Sequence, residues 1–262
     1  MTGQSADAAE SRSPSRSPSG SGAETGDGTG TGAGSQPGPA TSFQRAHSEE
    51  QRAVRRRTIL DTAAAMLTET PVGQVSLNEL SRRVGLAKSN VLRYFESRED
   101  ILLHLLAEAS AEWLEALGRE LRAWQNPDVP AAERATRAAS ALVDSLAARP
   151  VLCDLIANQA AVLEHNVSPA IAARFKRTAL ADAETLADLL LEYIPELGST
   201  GAWEVAGTTI LLAGAVWTHS RPSQAMLAAY DADPELAAMR LDFAARLRGT
   251  LRTLLIGVLA GR

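Results

Sequence analysis

A short segment between residues 88 and 94 carries polar and basic side chains of the kind that contact DNA bases. Lysine and arginine can donate hydrogen bonds to the acceptors of guanine or to a phosphate, and asparagine can pair with adenine through two hydrogen bonds. Position in the segment predicts that these side chains face outward and could enter the major groove. The residues concerned are Lys88, Ser89, Asn90, Arg93 and Tyr94.

The stretch Ser76–Asp100 predicts the elements that hold this segment in place. Ser76 and Glu79 form an S-x-x-E capping box at the start of one helix. Gly85 then breaks that helix, since glycine takes the positive φ that a sharp turn requires. A second helix follows from about Ala87, with its inward face formed by Val91, Leu92 and Phe95. Two short helices joined by a glycine-containing turn predict a DNA-binding helix-turn-helix.

Further side chains around this motif are suited to phosphate contacts, which fix register and supply affinity without sequence information. Ser76 offers a hydroxyl at a helix N-terminus, and Arg98 opens the helix that follows the motif. The run Arg55-Arg56-Arg57 is equally well explained as a charged, solvent-exposed face. The predicted phosphate contacts are Arg55, Arg56, Ser76 and Arg98.

Residues 52–106 closely resemble the DNA-binding domain of TetR-family transcriptional regulators. The resemblance rests on the helix containing Ile59, on Gly85, and on the run RYFESRE at residues 93–99. Ala87 and Leu92 depart from the family, which commonly has a capping serine and a phosphate-contacting tyrosine at these positions. The resemblance implies that the remaining helices form a divergent ligand-binding and dimerisation domain. It also implies a homodimer, because two recognition helices are needed for two half-sites.

Composition agrees with an all-α protein. The chain of 262 residues is 45% hydrophobic but only 4% aromatic, with Ala and Leu dominating the apolar set, which favours helices over a β-sheet. The single cysteine, Cys153, excludes an intramolecular disulfide and fits a reducing compartment. Neither a secretory signal nor ~18 consecutive apolar residues occur, so we expect a cytoplasmic protein without a membrane partner.

The chain divides into a low-complexity tail at 1–47, a helix-turn-helix domain at 48–97 and a larger helical domain at 98–262. The tail is rich in Gly, Ser and Pro and is predicted to be disordered. The helix-turn-helix domain is expected to contain three helices. The first of these is predicted at about 51–70. The helices of the larger domain are predicted at about 97–125, 130–148, 151–165, 169–193, 201–219, 222–229 and 234–260.

The last two long helices carry apolar stripes that could pair with those of a second protomer. This agrees with the four-helix interface implied by the family, although the same stripes could instead pack within the monomer. The predicted dimer interface consists of Ile210, Ala213, Trp217, Met239, Phe243, Leu247, Leu251 and Leu254.

Polar and aromatic residues within the apolar runs of the middle helices suggest a mainly apolar cavity with a few hydrogen-bonding groups. An unidentified small, mainly apolar effector would bind there. The predicted lining residues are Trp113, Cys153, Asn158, Gln159, Val162, His165, Phe175, Trp203, Thr209 and Trp217.

No pattern indicates an enzyme, a metal site or a cofactor. The four histidines are widely separated, and neither G-x-S-x-G nor H-E-x-x-H occurs. The favoured interpretation is a sequence-specific regulator, most simply a repressor released from double-stranded DNA by its ligand. An activator differs only in where its operator lies. The alternative from another class is an all-helical small-molecule or protein-binding module that has lost specific DNA recognition.

Overall fold

The computed structural model describes the backbone of residues 39–261 and the side chains of residues 49–261. All regular structure in this part of the chain is helical, which confirms the predicted all-α class. Most of the predicted disordered tail lies outside the described residues. The helices are α1 (Pro39–Glu69), α2 (Leu77–Val84), α3 (Lys88–Val91), α4 (Arg98–Ala123), α5 (Ala131–Ala147), α6 (Pro150–Asn158), α7 (Pro169–Tyr193), α8 (Gly198–His219), α9 (Gln224–Ala232), α10 (Pro234–Ala237) and α11 (Phe243–Ala260).

The head, residues 49–97, is built from α1, α2 and α3. Ile59 and Ala63 of α1 are buried together with Leu80 of α2, Val91 of α3 and Phe95 just beyond it. The apolar periodicity of each short helix therefore predicted its buried face, with one exception described below. Helix α1 begins at Pro39, earlier than the expected start near residue 51.

The body, residues 98–261, packs α4 to α8 and α11 around a second part of the core, whereas α9 and α10 bury no residue. Helix α8 contacts α6, α7 and α11, while α4 contacts α5, α6 and α7. Helix α5 is rich in alanine and buries Ala135, Ala138, Ala139 and Ala141. These small side chains let α11 lie close to α5, which forms one of the most extensive helix contacts of the body.

Helix ends in the body follow the signals in the sequence. Ser168 caps α7 by accepting a hydrogen bond from the Ile171 N–H, and Pro169 occupies the first helical position. Asp233 and Pro234 open α10 in the same way. No helix within the described part of the chain is long and apolar enough to cross a membrane.

The predicted helix at 234–260 is wrong, because it is divided into α10 and α11. Helix α10 ends at Ala237, and α11 begins only at Phe243. Asp242 caps α11 by accepting a hydrogen bond from the Ala245 N–H over 2.7 Å. Since a capping aspartate is more favourable before a helix than inside one, Asp242 stabilises the break.

Candidate nucleic-acid interface

The turn between α2 and α3 has the predicted geometry. Ser76 caps α2 by accepting a hydrogen bond from the Glu79 N–H over 3.2 Å. Gly85 takes the left-handed conformation, with φ 73° and ψ 28°, and α3 starts at Lys88. The second half of the predicted capping box is replaced by side-chain contacts of the Glu79 carboxylate. It accepts from Arg82 over 2.6 Å and from Arg83 over 2.9 Å, which lowers the pKa of Glu79 to about 2.

Helix α3 presents its polar side chains outward. Lys88, Ser89, Asn90 and Arg93 are all exposed, whereas Val91 is fully buried. The inward orientation predicted for Leu92 is wrong, because this side chain is 41% exposed. Helix α3 is only one turn long and is followed by a turn, so a position one residue after Val91 leaves the core. Ala87 precedes the helix and provides no side-chain cap, because its methyl group cannot accept a hydrogen bond.

An open basic cleft of about 680 Å³ lies between α1 and α3. Arg52 and Arg55 form its α1 wall, while Asn90, Arg93 and Tyr94 form the opposite wall. Within the described residues, neither wall of the cleft contains an acidic side chain. Arg52 was missed by sequence reasoning, although its position one helical turn before Arg55 places both side chains on one face. The cleft therefore combines unneutralised positive charge with exposed hydrogen-bonding groups.

The three arginines at residues 55–57 lie in three different environments. Arg56 turns inward, where its guanidinium lies 4.2 Å from the Phe95 ring centre, donates to the Tyr94 carbonyl over 2.8 Å and contacts His104. Burial lowers the pKa of Arg56. Arg57 pairs with Asp61 over 2.7 Å and with Glu108. Only Arg55 of the run lines the cleft, because successive residues of a helix point about 100° apart.

Arg98 also makes internal contacts. Its guanidinium donates to the Val75 carbonyl over 2.9 Å and to Glu99 over 3.1 Å. These bonds join the start of α4 to the segment before α2. Arg56 and Arg98, both predicted to contact phosphate, thus make internal contacts that hold Tyr94 and the segment before α2.

Family models match almost all of this described region. Residues 59–105 match the model described as bacterial regulatory proteins of the tetR family. Residues 107–262, more than half of the chain, match the model described as a tetracyclin repressor-like C-terminal domain. The chain belongs to the TetR family of transcriptional regulators.

Solved TetR-family structures share the fold. A possible TetR-family regulator from Streptomyces coelicolor A3(2) is 21% identical with a TM-score of 0.52, covering 79% of this chain and 100% of its own. A TetR regulator from Rhodococcus sp. RHA1 is 13% identical with a TM-score of 0.50, covering 80% of this chain and 97% of its own. No curated protein matches the sequence.

The C-terminal domain of this TetR-family chain contains a mainly apolar cavity of about 120 Å³. Of the predicted lining residues, Trp113, Gln159 and Phe175 are on its wall. Ile210, predicted for the dimer interface, lines the cavity as well, and so does Asp182, which sequence reasoning missed. A signal for Asp182 was present, because it follows Phe175 by seven residues and so shares its helix face.

The other predicted lining residues lie elsewhere. Cys153 is buried with its thiol donating to the Leu146 carbonyl, and the Asn158 amide donates to the Asp154 carbonyl. The Thr209 hydroxyl is buried and donates to the Val205 carbonyl. Trp217 packs edge-on against Phe243. Val162 is half-buried, and His165 and Trp203 are exposed.

The predicted dimer interface needs correction, because most of its residues are buried within one protomer. Phe243, Leu247 and Leu251 face α5 and α8, not solvent. The Trp217 and Phe243 rings meet at 5.1 Å between centroids, which fixes α8 against α11. Ala213 is also buried, Leu254 is half-buried, and Met239 lies in the exposed segment between α10 and α11. The five buried members of the predicted set therefore pack within the monomer core: Ala213, Trp217, Phe243, Leu247 and Leu251.

Three polar contacts join α6 and α7 of this TetR-family protein to the head or to the start of α4, the helix that follows the head. The Asp154 carboxylate of α6 accepts a hydrogen bond from the Val72 N–H over 2.7 Å. At the start of α7, the Ser168 N–H and hydroxyl donate to the Glu96 carboxylate over 2.9 and 2.7 Å. Arg174 of α7 pairs with Asp100 over 2.7 Å. We call these contacts the struts: Asp154–Val72, Ser168–Glu96 and Arg174–Asp100.

Proposed function

We propose that this TetR-family chain is a cytoplasmic, homodimeric regulator that binds a specific DNA operator through α3 and is released from it by a small molecule. A repressor is the simplest form of such a regulator. The single observation that carries the proposal is the surface formed by the exposed polar face of α3 beside the unneutralised basic cleft. The proposal assigns no catalytic role to any residue.

Two kinds of contact are proposed on this surface. Lys88, Asn90 and Arg93 would reach base edges, since the N-terminal part of a recognition helix enters the major groove. Ser89 and Tyr94 would lie beside them. Arg52 and Arg55 beside α3, and Ser76 at the start of α2, would hold phosphates, which set affinity and register. Arg56 and Arg98 would act indirectly by fixing Tyr94 and the segment before α2.

A second copy of the chain is proposed to bind the exposed apolar faces of α8 and α11. On α8, Trp203, Gly207 and Leu211 follow one another at intervals of four residues, and Leu211 is 76% exposed. On α11, Ile256 is exposed, and a side chain added at Gly257 would meet open space. Exposed apolar side chains on neighbouring helices are typical of an association surface, and glycine permits close approach of a second backbone.

Ligand release is proposed to operate through the struts. Helices α6 and α7 both line the cavity. The same two helices carry Asp154, which bonds to the head, and Arg174, which bonds to Asp100 at the start of α4 directly after the head. A ligand that moves either helix would therefore move the two heads of a dimer relative to the operator. Such a ligand shifts the equilibrium only by its differential affinity for the two states, and a hundredfold preference corresponds to ~2.7 kcal/mol.

The proposal is tested by fluorescence anisotropy with DNA from immediately upstream of the protein's own gene and random-sequence DNA as competitor. We expect binding that survives the competitor. The variant Lys88→Ala/Arg93→Ala should lose at least tenfold in specific affinity while its dimer remains intact. Arg119→Ala is the matched control, because Arg119 is exposed on α4 and pairs with Glu115.

Two results would contradict the proposal. If the double variant bound the specific DNA as tightly as the natural protein, α3 would not be the helix that contacts the bases. If a genome-wide selection of fragments also yields no sequence that outcompetes random DNA, the chain would be an all-helical binding module without DNA recognition. The uncapped Ala87 and the exposed Leu92 are the observations that favour this second candidate.

A further inference from the structure

The cavity of the C-terminal domain contains one charged group among mainly apolar walls. Its lining includes the aromatic side chains of Trp113 from α4 and Phe175 from α7, together with apolar residues of α4, α6, α7 and α8. Asp182 is the only charged lining residue among the residues that the structure describes. A carboxylate in an apolar wall has no role in packing, because burying it without a partner costs free energy.

Nothing in the described part of the chain compensates the Asp182 carboxylate. It takes part in no ion pair or hydrogen bond, and burial raises its pKa. Of the basic residues on α7, Arg174 pairs with Asp100, and Lys176 pairs with Glu164 over 2.8 Å. Arg177, five positions before Asp182, is exposed and forms no ion pair with it. The cavity thus contains a carboxyl group whose ionised form a bound positive charge would stabilise.

Two aromatic residues of the lining, Trp113 and Phe175, favour the same class of ligand. The Lys176 ammonium lies 6.0 Å from the Phe175 ring centre, so one cationic group already approaches this ring. An organic cation is attracted to the face of an aromatic ring, and quaternary ammonium groups are recognised in this way. The volume of about 120 Å³ is comparable to the ~150 Å³ of an engineered apolar cavity that holds benzene. It therefore suits a compact cationic group, and the half-open mouth leaves room for an apolar substituent.

We propose that this cavity binds a monovalent organic cation with apolar substituents, with Asp182 as its counter-ion and with Trp113 and Phe175 as its aromatic walls. This inference rests on the proposed function only in taking the cavity to be the effector site. An anionic ligand is disfavoured, since it would be placed beside a carboxylate in surroundings of low polarity. A neutral apolar ligand of equal shape would leave Asp182 uncompensated.

The test compares isosteric ligands by titration calorimetry on the full chain at pH 7. Phenyltrimethylammonium is the cation, tert-butylbenzene is its neutral isostere, and benzenesulfonate is the anion. We expect the cation to bind at least tenfold more tightly than either of the others. In the isosteric variant Asp182→Asn, this preference should fall to less than about threefold. Asp188→Asn, which changes an exposed carboxylate on the same helix, should retain it.

Thermal unfolding of each variant shows that it is folded before it is titrated. Equal binding of the cation and its neutral isostere by the natural protein would overturn the inference, as would absence of cation binding up to millimolar concentration. Cation preference that persists in Asp182→Asn would also overturn it. DNA binding by the ligand-free protein is measured in parallel. Its failure would contradict the proposed regulator, whereas a failed cation preference with intact DNA binding contradicts only the ligand class.

Discussion

Arg174 of α7 donates to the carboxylate of Asp100 of α4 over 2.7 Å and so joins the body to the helix that follows the head. Asp100 is only 3% exposed and also accepts hydrogen bonds from the Glu96 N–H and from His104. His104 in turn contacts Arg56, which holds the Tyr94 carbonyl beside the reading helix. A continuous chain of polar contacts therefore runs from α7 to the end of the motif.

The first prediction concerns the coupling between Arg174 and Asp100. A double-mutant cycle with Arg174→Ala and Asp100→Asn should give a coupling free energy of about 1–2 kcal/mol in chemical unfolding. The reason is that one partner is buried, so its charge is poorly screened. The exposed pair Arg119–Glu115 on the same helix is the control and should give less than about 0.5 kcal/mol. A coupling free energy no larger than that of the control would show that the Arg174–Asp100 pair does not stabilise the fold.

The second prediction follows from the titration of Asp100. Burial alone would raise the pKa of Asp100, but hydrogen bonds from His104 and the Glu96 N–H, with the charge of Arg174, hold it below its usual range. The folded state therefore binds this proton less tightly than the unfolded state, whose pKa is about 3.9. Its stabilising contribution is complete above that pH and disappears as the pH falls through the lower folded-state pKa.

Urea unfolding between pH 7 and pH 3 measures this contribution. At pH 7, Asp100→Asn should be less stable than the natural protein by about 1–3 kcal/mol, since a charge-assisted network is broken. The difference should shrink as the pH falls below about 4, because the unfolded chain then binds a proton that the folded protein binds less tightly. Asp128→Asn, in an exposed loop, is the control and should show no such convergence. If the unfolding free energies of the natural protein and of Asp100→Asn changed in parallel with pH, the lowered pKa assigned to Asp100 would be contradicted.

The third prediction separates phosphate contacts from base contacts. Arg55→Ala should weaken binding to all DNA sequences about equally and reduce the slope of log affinity against log salt by about 1, since one phosphate contact is lost. Asn90→Ala should leave the salt slope unchanged and should cost about 1–3 kcal/mol on the best operator, thereby relaxing specificity. Anisotropy at several salt concentrations distinguishes the two. An unchanged slope for Arg55→Ala would place this side chain away from the phosphates.

Local signals in the sequence predicted the helical elements well. Gly85 with its positive φ, the capping residue Ser76 and the Ser168-Pro169 start of α7 all act over one helical turn. Such interactions depend on residues three or four positions apart and are therefore visible in the sequence. The outward face of α3 was predictable for the same reason, because the motif fixes which side of so short a helix is buried.

Contacts between distant residues were not predictable. Arg56 looks like Arg55 in the sequence, and only the positions of Phe95 and His104 decide that it turns inward. The apolar stripe of α11 shows that this face is buried but not whether the partner is α5 of the same chain or another protomer. In the structure, α11 packs against α5 of the same chain, whose small alanine side chains permit close packing. Asp182 was overlooked because a single acidic residue in a long helix is ordinarily exposed.

The last prediction concerns the dimer. If a second copy covers the exposed face of α8, Leu211→Arg would place a charge in an apolar interface and leave it unpaired, which costs several kcal/mol. We expect this variant to sediment as a monomer at micromolar concentration, with secondary structure unchanged by circular dichroism. It should also lose at least tenfold in operator affinity, because one recognition helix reads only a half-site. Leu180→Arg is the matched control: Leu180 is 51% exposed on α7, outside the proposed interface. A monomer from Leu180→Arg together with a dimer from Leu211→Arg would move the interface to α7.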